Sequence, residues 1–111
     1  EDAALALACV WDCWEGQWDG REAVIESCSL VTTAAAPQFE QFHKRMPVIL
    51  VGNERDQWLD CSQTMPVDTP VFRPQLKYNL RVTPISQEVN NARNKQAELL
   101  AAVGEAVSLV A

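Results

Sequence analysis

Pro47 is followed by four consecutive apolar residues, Val48-Ile49-Leu50-Val51, and the run stops at Gly52. No other stretch of the 111-residue chain limits the fold as tightly. A run this short, rich in β-branched side chains and closed by glycine, has the length of a strand buried on both faces rather than that of a helix. Pro47 drives Met46 into an extended conformation and is expected at the first strand position, where no amide donor is needed. Immediately upstream stand the sole histidine, His43, and two cations, Lys44 and Arg45. A side chain that titrates near neutrality is thereby expected at the rim of a rigid core, beside a guanidinium. By itself, a lone histidine is also what an ordinary packing or surface position carries.

The flanking segments read as an antiparallel sheet with short helices. Leu5 to Cys13 is apolar on both faces, with large and small residues alternating, as in a central strand packed between layers. Residues 14–20 hold Gly16, Gly20 and an Asp-Gly pair, and are expected to turn the chain. Ala23 to Thr33 is the return strand of that hairpin. Pro37 is placed to open a short helix over Gln38–Phe42, with Phe39 and Phe42 on one side as packing residues. Past Gly52, Asn53 is a plausible cap, and residues 55–60 read as a two-turn helix with Trp58 and Leu59 inward. Cys61 to Pro74 carries three of the six prolines and reads as irregular loop. A further strand is expected at Leu80–Thr83, and Ala97 to Val110 has helical composition interrupted by Gly104.

Length allows one domain, which buries roughly two-thirds of its unfolded surface. With 48 % hydrophobic residues a folded core is expected, and a net charge of −6 makes any anion site local rather than global. No apolar run approaches a membrane span, and the start has no signal-peptide pattern, so no membrane association is expected. The first residue is Glu1 rather than methionine, so the chain is read as a piece of something longer. Cys9, Cys13, Cys28 and Cys61 sit among apolar residues and are expected as reduced core thiols of a cytoplasmic or nuclear protein. The Cys9–Cys13 gap resembles a zinc half-site. On a strand, however, those residues lie roughly 13 Å apart. Two sulfurs each about 2.3 Å from one zinc cannot be so separated, and no metal or other cofactor is expected.

Two polar clusters bracketed by structure are candidates for chemistry: His43-Lys44-Arg45 and Asn90-Asn91-Ala92-Arg93-Asn94-Lys95. Amides and cations held on loops suit a phosphodiester or an extruded nucleotide, although a pair of solvated loops has the same composition. No phosphate-binding glycine loop, dinucleotide fingerprint or nucleophile elbow is present.

The order of motifs resembles one family. Leu7-Ala8-Cys9-Val10-Trp11-Asp12-Cys13-Trp14 is followed by Leu30-Val31-Thr32-Thr33-Ala34-Ala35 and His43-Lys44-Arg45-Met46-Pro47-Val48-Ile49-Leu50. Trp58-Leu59-Asp60, Val82-Thr83-Pro84-Ile85-Ser86 and Val89-Asn90-Asn91-Ala92-Arg93-Asn94 complete the set. Together they are similar to the SRAP domain, the SOS-response-associated peptidase family, whose members shield abasic sites in single-stranded DNA. The resemblance implies an α+β, mainly antiparallel fold, with residues 1–111 forming the C-terminal part of a single SRAP domain. That part would belong to a barrel-like core with short peripheral helices.

For function, the resemblance implies a thiazolidine crosslink between an N-terminal cysteine and the abasic sugar. His43 matches the acid/base residue. Arg45 matches a phosphate contact and Thr32 a hydroxyl contact to DNA, while Asn90, Asn91 and Arg93 match a loop around the site. The cysteine and several of its partners fall before Glu1 in the family's order, so the missing N-terminal half is an expected partner alongside single-stranded DNA. The alternative is a catalytically inactive half-domain that pairs its open strands with another chain as an assembly module. A thiol peptidase would require a cysteine beside His43, which the sequence does not place there.

Overall fold

A computed structural model describes residues 4–111. The chain divides into two compact units, one ending at Gln75 and the other spanning Leu76–Ala111. Each is built from two-stranded antiparallel ladders, with few helical residues.

In the first unit three extended segments each split their pairing between the other two. The first segment comprises β1 (Ala6–Leu7) and β2 (Cys9–Trp18). β3 (Arg21–Leu30) and β4 (Thr32–Ala34) form the second, and β5 (Arg45–Pro47) and β6 (Ile49–Leu50) the third. β2 pairs with β3, β4 with β5, and β6 with β1. The three ladders meet at Ala8, Val31 and Val48, which close a ring of backbone hydrogen bonds. Ala8 N–H donates to Val48, Val48 N–H to Val31, and Val31 N–H to Ala8, each at 2.9 Å. Ala8 is wholly buried and Val48 is 2 % exposed. Around them pack Leu50 and Val71, with Trp58, Met65 and Phe72 partly covering the cluster. The Val48–Leu50 run is therefore buried, as its composition predicts. Pro47 lies at the end of β5 rather than at a strand start. Among the described residues the ladders do not close into a barrel.

The hairpin is longer and more open than its sequence predicts. β2 runs through the expected turn segment to Trp18, and only Asp19 and Gly20 reverse the chain, with φ of 51° and 76°. Positive φ at both central residues gives the tight hairpin turn whose twist matches the flanking strands. Trp14 lies over Gly16, where an added Cβ would sit 2.5 Å from the indole. The central-strand expectation for residues 5–13 is overturned: nearly all of the ribbon is exposed, with Trp11 at 73 % and Trp18 at 65 %. A two-stranded ribbon supplies no second layer of its own. Cys9, Cys13 and Cys28 lie on one face of it and Cys61 lies past the helix, so all four thiols are exposed rather than core.

Other local expectations shift for identifiable reasons. Residues 37–42 form successive turns, with Phe39 N–H and Glu40 N–H both donating to Ala36, and do not become a helix. So short a segment cannot offset the cost of nucleation. The helix α1 spans Glu54–Leu59; Asn53 occupies its cap position, but its side chain makes no capping bond. Glu54 Oε1 instead accepts from Val51 N–H at 2.9 Å. Trp58 turns inward, donating from Nε1 to the Cys9 carbonyl at 2.9 Å and meeting Phe72 edge-on. Leu59, about 100° further round the helix, is 76 % exposed rather than inward. The proline-rich loop is irregular apart from a 3₁₀ turn, Pro70–Phe72, which delivers Val71 to the core.

In the second unit β7 (Leu80–Val82) pairs with β8 (Val107–Leu109). The helix expected over 97–110 is reduced to a 3₁₀ turn at Ala97–Leu100. Gly104 sets the limit. A Cβ there would meet the Pro84 ring at 2.9 Å, and the neighbouring Val103 N–H donates to the Pro84 carbonyl. The chain then passes into Val107–Leu109, which pairs with Leu80–Val82 as a strand.

Candidate functional site

The register of β4 and β5 explains how His43 and Arg45 are presented. Ala35 N–H donates to Lys44 and Val48 N–H to Val31, so hydrogen-bonded pairs alternate along this ladder. Thr32–Pro47 and Ala34–Arg45 are therefore its non-bonded pairs. At such a position the missing amide of Pro47 costs nothing. The same parity turns the N–H and C=O of Arg45 away from β4. The His43 ring occupies that outer edge: its Nδ1 accepts from Arg45 N–H at 2.9 Å and lies 3.2 Å from the Arg45 carbonyl oxygen. The ring is exposed, and Nε2 has no protein partner among the described residues.

The Arg45 side chain reaches diagonally across to Thr32. Its Nε donates to Thr32 Oγ1 at 3.3 Å, and its Nη2 to Oγ1 at 3.0 Å and to the Thr32 carbonyl at 2.9 Å. Guanidinium carries five N–H donors, so this bracing leaves Nη1 without a protein partner among the described residues. Thr32 Oγ1 accepts there and keeps its own proton to give. On the opposite face of the ladder Thr33 Oγ1 donates to the Phe72 carbonyl at 2.8 Å, and Met46 is buried. One face is fixed in the core while the other holds a histidine, a braced arginine and a hydroxyl toward solvent. Such a surface can exchange a proton at Nε2 and grip an anion beside it.

In the second unit Asn90 ends the 3₁₀ turn Gln87–Asn90, and Asn91 and Arg93 lie in the loop that follows. The Asn91 side chain accepts from Arg93 N–H at 3.0 Å, and Asn94 Nδ2 donates to the Glu88 carbonyl at 2.9 Å. These amides shape their own loop. Asp60, in the Trp58-Leu59-Asp60 motif, accepts from the hydroxyl and amide of Ser62, which hold its carboxyl below the ordinary range. It organises a turn. The concavity bounded by Glu15, Gly16, Gln17, Glu22, Ala23 and Val24 lies on the hairpin and includes none of the predicted site residues. Among the described residues no group of three or more His, Cys, Asp or Glu side chains is placed to hold a metal ion.

One group of the candidate site goes unread in the side-chain pattern: the main chain of Arg45. Its signal was available, because a proline inside a strand marks a non-bonded position, and Arg45 is two residues from Pro47.

The sequence pattern of the SOS response associated peptidase (SRAP) family matches residues 1–92. The abasic site processing protein HMCES of Xenopus tropicalis is 32 % identical over 100 residues, covering 89 % of this chain and 29 % of that protein. Its counterpart in Mus musculus is 34 % identical over 98 residues, covering 87 % and 27 %. The abasic site processing protein YoaM of Bacillus subtilis is 31 % identical over 75 residues, covering 67 % and 33 %. The chain thus spans about a third or less of the length of these relatives. No solved structure matches it. With most of its length inside the family pattern, the chain belongs to the SRAP family.

Proposed function

We propose that residues 1–111 are the C-terminal part of a single SRAP domain that processes abasic sites in single-stranded DNA, with His43 as its acid/base residue. The observation that carries this reading is the exposed His43 ring, held by the main chain of Arg45 beside a guanidinium braced on Thr32. Relatives named abasic site processing proteins support the substrate class.

The reaction assigned to the site is a condensation. A primary amine adds to the aldehyde of the ring-opened sugar, and the resulting carbinolamine loses its hydroxyl as water to give an imine. A thiol on the same residue then adds to the imine carbon, its proton passing to nitrogen, and a thiazolidine results. One water is released overall. Departure of the hydroxyl needs a proton at oxygen, and imidazolium can deliver it; in the reverse direction a neutral ring with its lone pair on the outer nitrogen takes one up. The amine and thiol come from a segment outside this chain, which also completes the barrel-like core. Arg45 and Thr32 hold a backbone phosphate, and the Asn90, Asn91 and Arg93 loop contributes further DNA contacts. The protein would work in the bacterial cytoplasm or the eukaryotic nucleus.

The test uses a complete SRAP protein carrying this segment. His43→Ala should slow crosslink formation by about 10²–10⁴-fold with DNA affinity nearly unchanged. Arg45→Ala should weaken binding and lower its salt slope by about one phosphate's worth. Normal chemistry with a large affinity loss in His43→Ala would refute the assigned role.

The open hairpin favours a second reading, a catalytically inactive assembly module that pairs its strands with another chain. Trp11, Trp18, Val24 and Leu30 are all more than half exposed on an uncovered ribbon. A monomeric 111-residue chain on size exclusion would count against it.

A further inference from the structure

We infer that the main chain of Arg45 is the positioning group for His43, and that it fixes the neutral ring in the tautomer whose proton sits on Nε2. The inference deepens the acid/base reading of His43 and rests on it for its functional meaning.

The geometry is that of a two-setting clamp. Arg45 N–H can only donate, so the 2.9 Å contact with Nδ1, shorter than the 3.2 Å approach of the Arg45 carbonyl, favours a lone pair on Nδ1 and the proton on Nε2. Arg45 C=O can only accept, and it lies 3.2 Å from the same nitrogen. When the ring gains a second proton, Nδ1–H has that carbonyl as its partner. Both groups belong to one residue, and the strand register turns both away from β4. The ring therefore has a main-chain partner on the same side in either charge state, and Nε2 faces outward in both.

Two consequences follow for the ligand. The resting neutral ring offers a donor rather than a lone pair at its outer nitrogen. What it first meets is thus an oxygen acceptor, such as the hydroxyl or aldehyde oxygen of an opened sugar. In the step that expels water, the Nε2–H bond of the imidazolium breaks and an O–H bond forms on the carbinolamine. The C–O bond then breaks as the amine lone pair forms C=N. The proton left on the ring is on Nδ1, facing the Arg45 carbonyl, and solvent exchange returns the ring to its resting tautomer. Arg45 then has separable duties: main chain to His43, side chain to Thr32 and an anion.

Nitrogen-15 NMR of the uniformly labelled 111-residue chain tests this directly, since His43 is its only histidine. At a pH where the ring is neutral, the expected spectrum shows an unprotonated Nδ1 and a protonated Nε2. Arg45→Ala keeps the amide and carbonyl and should leave that spectrum unchanged. Arg45→Pro removes the amide at a position where the ladder does not use it, and should give a mixture of tautomers. A wild-type ring protonated on Nδ1, or averaging between both forms, overturns the clamp, and so does a tautomer shift in Arg45→Ala. Crosslinking by His43→Ala in a complete SRAP protein separates the two ideas. Normal crosslinking there with an Nε2–H wild-type ring would refute the acid/base reading and leave the clamp standing.

Discussion

Ala8 and Val31 stand at one end of the ladder that joins the two longest strands, and Trp18 and Arg21 at the other. At the first end three strands share one ring of hydrogen bonds around small and β-branched side chains, and little solvent enters. At the other, large aromatic side chains stand in solvent on a two-stranded ribbon. Hydrophobicity alone would rank these ends in reverse, since tryptophan offers far more apolar area than alanine. What separates them is the number of strands that meet. A third strand gives the junction a closed core, and the candidate site projects from the rim of that core. Among the described residues of its own unit the hairpin has strong local pairing but no covering layer.

Substitutions can break or sharpen this contrast. The largest effect is expected at the junction, where Leu50→Ala should cost about 2–5 kcal/mol in urea unfolding of the chain. A loss below half a kcal/mol would mean that the three-strand core is not what holds the unit. Gly20→Ala, at φ 76° in the hairpin turn, should cost about 1–2 kcal/mol, because a Cβ is strained in the left-handed region. Trp11→Ala should be nearly silent in the 111-residue chain, within about 0.5 kcal/mol, as for other exposed positions. In a complete SRAP protein whose remaining strands cover the ribbon, the same change should cost about 3–5 kcal/mol. Equal effects in both settings would show that nothing covers the hairpin.

Legibility in the sequence followed the range of the forces involved. The buried run at Val48–Leu50 was readable because its whole signal is local, and Asp19-Gly20 marked the reversal for the same reason. The fate of Leu5–Cys13 was not readable. Apolar content shows that a strand could be covered, whereas exposure depends on strands brought in from elsewhere. The cysteines were misjudged with it. The Ala97–Val110 segment carried helical residues, but a close approach to Pro84 at Gly104 and pairing with Leu80–Val82 overrode them. His43 and Arg45 stood out as a polar cluster just before the buried run, whereas Thr32 and the roles of all three came from matching a family motif. Their mutual bracing came only from the register, which sets Ala34 opposite Arg45 and Thr32 one diagonal away.

The comparison also separates two candidate chemistries, a histidine at the rim of the junction and three thiols on one face of the hairpin. Single-turnover crosslinking to an abasic single strand, in a complete SRAP protein carrying this segment, decides between them. The account predicts that His43→Ala loses most of the rate while the combined Cys9→Ala, Cys13→Ala and Cys28→Ala variant keeps it. Loss of crosslinking in the cysteine variant with full activity in His43→Ala would contradict it.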